Sequence, residues 1–222
     1  MTINTNEEMT DCSQRIGSIN VVMIGPPGSG KGTHGPYIRD ALCICHLATG
    51  DMLREAIEAG TELGKTAESI MKRGELVSDE LVIGLIKEKI GSETCSRGVL
   101  FDGFPRTIKQ AEMLDTLLEK KNLSIERVLE FQVDEEKLLE RIEGRRIHLA
   151  SGRSYHLKFN PPKIDGVDDV TGEPLIHRKD DTKEALSKRM NAYHENTMPI
   201  LDYYRDRGNL ETLNATAAIN VV

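Results

Sequence analysis

Short apolar runs alternate along this chain with longer stretches whose apolar residues recur every three or four positions. Residues 19–24, Ile-Asn-Val-Val-Met-Ile, read as a buried strand. "VLFDG" (99–103) and "RVLEFQV" (127–133) read the same way, with "CHLA" and "LETLNA" as weaker candidates. Helical patterns lie between them. "SDELVIGLIKEKIG" has Ser78 placed as an N-cap, Glu80 early, an apolar face of Leu81, Val82, Leu85, Ile86 and Ile90, and Gly91 as its stop. "TIKQAEMLDTLLEKK" starts at Thr107 and carries Ile108, Ala111, Met113, Leu114 and Leu117. A long helix is expected over "TKEALSKRMNAYHENTMPILDYYRDRG". Strands alternating with helices predict an α/β fold around a parallel sheet.

One stretch breaks the rhythm. Residues 144–181, "GRRIHLASGRSYHLKFNPPKIDGVDDVTGEPLIHRKDD", have Gly, Pro and Asp at turn spacing and few large aliphatics. An ordinary connection runs about 4–6 residues, so this is either an insertion with a purpose or a disordered loop. Tyr155, His156 and Phe159 between turn signals predict short hairpins, and the segment reads as a small mobile lid.

Composition narrows the picture. The 222 residues suit one large domain with small insertions. A formal charge of −7 argues against a general nucleic-acid binder, so an anionic ligand requires locally gathered positive charge. Cys12, Cys43, Cys45 and Cys95 form no C-x-x-C pair and read as reduced thiols of a cytosolic-type compartment. No apolar run is long enough to cross a membrane. Residues 1–18 form a polar, acidic N-terminal tail without the look of a signal or transit peptide. The expected location is cytoplasmic, with the mitochondrial intermembrane space as the other possibility.

The candidate chemistry starts at "GPPGSGKGT" (25–33), directly after the first strand. A glycine-rich turn between a strand and a helix lets backbone N–H groups converge on a phosphate, and the helix N-terminus adds positive charge. Lys31 supplies a full charge. The loop departs from G-x-x-x-x-G-K-[ST] because Gly32 follows the lysine and the hydroxyl arrives at Thr33. Asp102 ends the strand "VLFDG", where a P-loop fold presents a carboxylate to magnesium. Arg141 and Arg145 are four apart and share a helix face.

These residues carry a resemblance. GPPGSGKGT, "ATGDMLR" (48–54), "GELVSDE" (74–80), "DGFPRT" (102–107), Gln110 and the insertion together resemble adenylate kinase of the long-lid type, in order from about residue 20 to 208. Gly32 is the usual form in that family. The resemblance implies a P-loop NTPase-like core with a five-stranded parallel sheet flanked by helices, a helical AMP-binding segment at 48–77 and a β-hairpin lid at 144–181, all within 19–222. It implies the reaction MgATP + AMP ⇌ 2 ADP, for adenine nucleotide homeostasis. ATP phosphates would be held by Gly28, Ser29, Gly30, Lys31, Gly32 and Thr33. Arg141, Arg145, Ser154, Tyr155 and Ala217 would complete the ATP site. Thr49, Arg54, Glu75, Leu76, Val77, Gly103, Phe104, Pro105, Arg106, Gln110, Arg178 and Arg189 would hold AMP. Lys31, Arg106, Arg141, Arg145, Arg178 and Arg189 would surround the transferred group. Asp102 would orient magnesium through water. No general base is implied, because the AMP phosphate is already anionic.

Three departures from the family pattern stand out. His34 occupies a position usually held by Gln and is given no role. His148, Ser151, Asp168 and Thr171 stand where some relatives bind zinc, and this set predicts a hydrogen-bonded cluster without zinc. The chain stops at "NATAAINVV", where relatives usually continue into a C-terminal helix. The expected partners are ATP, AMP and ADP, with no nucleic acid, no membrane and a monomeric protein. A GTP:AMP phosphotransferase is the nearest rival. Thr49 argues against a pyrimidine nucleotide kinase, and a P-loop switch would leave ATGDMLR, DGFPRT and Gln110 unexplained.

Overall fold

A computed structural model describes residues 17–222; residues 1–16, with Cys12 and most of the polar tail, lie outside the described residues. Along the chain run strands β1 (Val21–Ile24), β2 (Cys45–Ala48), β3 (Val99–Asp102), β4 (Arg127–Gln132), β5 (Arg145–Ile147), β6 (Ser154–His156) and β7 (Leu210–Asn214). Five of them form one sheet in the order β2-β3-β1-β4-β7, with every neighbouring pair parallel. β5 and β6 pair antiparallel in a separate hairpin.

Position in the sheet explains the strength of each sequence signal. Every residue of β1 is buried, because helices cover both faces of a parallel sheet. Val22 and Ile24 join one apolar cluster, and Val21 and Met23 join another on the opposite face, as a period of two requires. The weak candidates became the edge strands β2 and β7, whose partial burial needs less apolar sequence.

The helices are α1 (Lys31–Leu42), α2 (Thr49–Glu58), α3 (Glu62–Lys72), α4 (Asp79–Ile90), α5 (Ile108–Glu119), α6 (Leu138–Glu143), α7 (Lys183–Ala192) and α8 (Met198–Arg205). In α4 the buried stripe is Val82, Ile86 and Ile90, and Leu81 turns to the surface. Ser78 sits at the N-cap position but its side chain accepts no cap bond. In α5 the expected face is rotated. Gln110, Ala111, Leu114 and Leu118 are buried, while Ile108 is exposed beside the capping Thr107, which accepts from Gln110 N at 3.0 Å. The expected long terminal helix is interrupted. A π-turn at Tyr193–Thr197 separates α7 from α8, and Pro199 lies in the first turn of α8. Proline donates no bond, and its ring clashes with the carbonyl four residues back, so the backbone widens there.

The reading of all cysteines as reduced is corrected. Cys45 and Cys95 form a disulfide with their Cα atoms 4.9 Å apart, and no described cysteine is a free thiol. Spacing in sequence could not reveal this pair. Parallel pairing sets Cys45 opposite Val99, and the short turn Glu93–Cys95 that leads into β3 brings the second sulfur alongside.

Candidate active site

The P-loop leaves the carboxyl end of β1 at the centre of the sheet. Gly28 (φ 83°) and Gly30 (φ 100°) occupy the left-handed region that side chains disfavour, and a Cβ at Gly28 would lie 3.1 Å from Ile142. The loop therefore curls tightly and presents the start of α1 to a cavity of about 570 Å³. Lys31 lies inside the curl. Its Nζ donates to Gly25 O at 2.6 Å, Pro26 O at 3.0 Å and Ser29 Oγ at 3.1 Å. Burial, opposed by Asp102 but aided by Arg106, Arg189 and Arg145, lowers its pKa to about 8.

Asp102 ends β3 beside β1. Burial works to raise its carboxyl, but His46, whose Nε2 is 3.5 Å from Oδ2, and the cations Lys31 and Arg106 outweigh that and hold it below its ordinary range. Asp102 is thus kept anionic next to the P-loop, and it lines the cavity together with Thr33.

Six arginines reach this cavity from separate elements: Arg54, Arg106, Arg141, Arg145, Arg178 and Arg189. Burial and then mutual repulsion lower Arg178 to about 9 and Arg189 to about 10. Such shifts mark positive charge concentrated out of water, as an anionic ligand requires. The cluster is held by counter-ions. Asp51 Oδ1 accepts from Arg54 and, at 2.7 Å, from Arg178. Asp180 lies 3.3 Å from Arg189, and buried Asp181 takes both nitrogens of the Arg145 fork. Arg141 donates to Ala215 O at 2.8 Å, and Arg106 to Gly103 O at 2.7 Å.

Gly28, Ser29, Gly30, Gly32, Ser154, Tyr155 and Ala217 line the same cavity. A smaller cavity of about 90 Å³ adjoins it, lined by Thr49, Glu75, Leu76, Val77, Gly103 and Gln110. Arg54, Arg106 and Arg189 line both cavities. Pro105 lines the larger one, whereas Phe104, 1 % exposed, packs in the apolar core instead.

The insertion carries its own polar centre. His148 bonds Ser151 Oγ at 2.7 Å and Glu173 Oε2 at 2.5 Å. Asp168 accepts from Arg153 Nε at 2.8 Å, Arg153 Nη2 at 2.7 Å, Thr171 Oγ1 at 3.0 Å and the Tyr155 hydroxyl at 3.0 Å. The Arg153 fork above all holds the Asp168 carboxyl far below its ordinary range. The four corner residues foreseen from sequence therefore form a hydrogen-bonded cluster. Arg153, Tyr155 and Glu173 were not foreseen as members, although all three lie within the turn-rich stretch.

Sequence reasoning singled out His34 but gave it no role. It lines the larger cavity, its ring centroid is 5.7 Å from that of Phe131, and burial followed by Arg141 lowers its pKa. The counter-ions Asp51, Asp180 and Asp181 were overlooked, although all three fall inside quoted motifs.

A model of the Adenylate kinase family matches residues 23–209. The chain is 55% identical over 195 residues to "Adenylate kinase 4" of Oryza sativa subsp. japonica, covering 88% of this chain and 80% of that protein. It is 51% identical over 207 residues to "Adenylate kinase 4" of Arabidopsis thaliana, covering 93% and 84% respectively. It is 49% identical over 205 residues to "Adenylate kinase" of Laccaria bicolor, covering 92% and 80%.

Proposed function

We propose, for a chain that belongs to the adenylate kinase family and is thus a nucleoside monophosphate kinase, that the donor is MgATP, the acceptor AMP and the product 2 ADP. The observation that carries this reading is the wall shared by the two cavities. Arg54, Arg106 and Arg189 face both the P-loop cavity and the smaller one behind it. A donor on the P-loop and an acceptor in the smaller cavity would meet with their phosphates between these guanidiniums.

Transfer of a phosphoryl group requires alignment and stabilisation of charge on the equatorial oxygens more than covalent help. Lys31 and the backbone N–H groups from Gly28 to Thr33 would hold the donor phosphates. Arg106 and Arg54 would hold the acceptor phosphate. Arg141, Arg145, Arg178 and Arg189 would gather the charge of the moving group. The hairpin residues Ser154 and Tyr155 cover the P-loop cavity and would exclude water, which otherwise competes as acceptor.

The residues fit magnesium delivered with the nucleotide. Asp102 is held anionic beside the P-loop and Thr33 offers a hydroxyl, a small oxygen donor set of the kind that leaves room for phosphate and water. When bound, the ion would neutralise donor phosphate charge.

ATP is proposed over GTP on the family resemblance alone. We further propose a monomer. No described helix is long and apolar enough to cross a membrane. The Cys45–Cys95 disulfide supports the intermembrane space over the reducing cytosol. The deciding experiment is a substrate panel, ATP or GTP against AMP, CMP, UMP and GMP, following diphosphate formation. The expected outcome is ATP with AMP well above every other pair. Equal rates with GTP would move the donor assignment, and equal kcat/KM for UMP and AMP would move the acceptor.

A further inference from the structure

Gln110 is 2 % exposed and lines the smaller cavity. Two neighbours of fixed polarity grip its amide. The backbone N–H of Arg106, which can only donate, reaches Gln110 Oε1 at 2.7 Å. The Asp79 carboxylate, which when ionised can only accept, takes a bond from Gln110 Nε2 at 2.8 Å. The other oxygen of Asp79 lies 3.1 Å from Lys109 Nζ. A primary amide has nearly the same shape either way round, so its surroundings decide its orientation. Here a flip would set N–H against N–H at Arg106 and oxygen against carboxylate at Asp79. The amide is locked from both ends. It owns two N–H groups and two lone pairs. One of each is taken, and one of each remains.

That remaining pair has a definite polarity. Adenine offers a donor at N6 beside an acceptor at N1, which complements a free oxygen lone pair next to a free N–H. A 6-oxopurine reverses both, with an acceptor at O6 and a donor at N1. We propose that Asp79 is a specificity-determining positioning residue. It touches no nucleotide itself. By fixing, together with the Arg106 N–H, the polarity of the Gln110 amide, it makes the acceptor site select 6-aminopurine over 6-oxopurine monophosphates. This rests on the smaller cavity being the acceptor base site. A site whose polar groups would be left unpaired or opposed rejects the wrong base more strongly than one that merely lacks a contact.

Asp79 is also the first residue of α4, where a negative charge favours the helix. The test must separate these roles. Steady-state kcat/KM is measured with ATP as donor and AMP or GMP as acceptor. In Asp79→Asn the new amide can turn its N–H toward Gln110, so the Gln110 amide is no longer barred from flipping at that end. Asp79→Ser, whose hydroxyl can donate or accept, is the second variant.

The expected result is a fall in the AMP-to-GMP ratio of kcat/KM by about tenfold or more, carried by KM, with kcat for AMP within about threefold. Lys109→Met, which removes the ion pair and leaves the carboxylate, should keep the wild-type ratio. An unchanged ratio in both folded Asp79 variants, or an equal loss in Lys109→Met, would overturn the proposal. Gln110→Ala tells its failure from failure of the acceptor reading. If Gln110→Ala lowers the ratio and the Asp79 variants do not, the site stands and Asp79 is only a helix-start residue. If Gln110→Ala leaves the ratio intact, the base is not read there and both fall.

Discussion

At the scale of single residues, the site works by holding cations where water does not stabilise them. Lys31 is the clearest case. Its pKa of about 8 places the loss of its charge at the edge of the physiological range. A lysine is charged below its pKa, so the donor site is cationic at pH 7 and weakens as pH rises past about 8. kcat/KM for ATP should therefore decline above that value, while the AMP phosphate stays anionic throughout. Lys31→Met should lower kcat/KM by at least about a hundredfold, roughly the loss on removing one preorganised donor from a developing anion, in a protein that circular dichroism shows to be folded. Retention of a tenth of wild-type activity would show that the loop does not hold the reacting phosphates. Lys31, Asp102 and Arg106 were legible in sequence because each lies in a short motif, whereas Arg141, Arg145 and Arg189 came from the family resemblance. The helix face read as shared by Arg141 and Arg145 does not form, because α6 ends at Glu143 and Arg145 opens β5. Asp51 as the partner of Arg178 was not legible, because 127 residues separate them and only the fold brings them within 2.7 Å. Gln110 was legible as a site residue, but Asp79 behind it was hidden as one more acidic residue at a helix start.

At the scale of elements, what packs twice reads clearly and what packs once does not. β1 is buried on both faces and its run of apolar residues is unmistakable. β7 is paired on one side only and shows a mixed pattern. The interruption of the terminal helix was written in Pro199, yet periodicity continues through a π-turn and conceals it. The turn also has a use, since Thr197 Oγ1 donates to Arg106 O at 3.0 Å and so ties the helix to the arginine loop. The disulfide was illegible for a different reason, because it follows from strand pairing and not from spacing. It closes a loop of 50 residues, which by chain entropy contributes about 4 kcal/mol to stability. Cys95→Ser should therefore lower the thermal midpoint by roughly 10 °C. Activity at 25 °C should persist, because neither sulfur lines the catalytic cavities. An unchanged midpoint in oxidising buffer would mean that the bond does not form in solution.

At the scale of the whole molecule, the core and the insertion are stabilised by different physics. The three apolar clusters gather around the sheet and its helices, and none of them includes a described residue between 148 and 181. The insertion is held by the β5–β6 ladder and by the polar network around His148 and Asp168. A unit with few apolar contacts opens at low free-energy cost, as a gate over a site must. The segment that returns from it to α7 carries Arg178, which bonds Asp51 of α2, so the insertion also reaches the acceptor side. Two opposite expectations then compete. If the insertion serves the donor, replacing residues 148–176 with a short Gly/Ser linker removes Ser154 and Tyr155 but keeps Arg145 and Arg178. ATP affinity and kcat should fall sharply. AMP affinity should change much less, because Thr49, Arg54, Arg106 and Gln110 lie outside the deletion and keep their places on α2, α5 and the loop after β3. Calorimetric binding of each nucleotide to the truncated, folded protein decides between them, with steady-state rates alongside. Unchanged ATP binding and rate would make the insertion a passive loop. An equal collapse of AMP binding would mean that the link from Arg178 to Asp51 couples the two cavities so tightly that neither forms without the other.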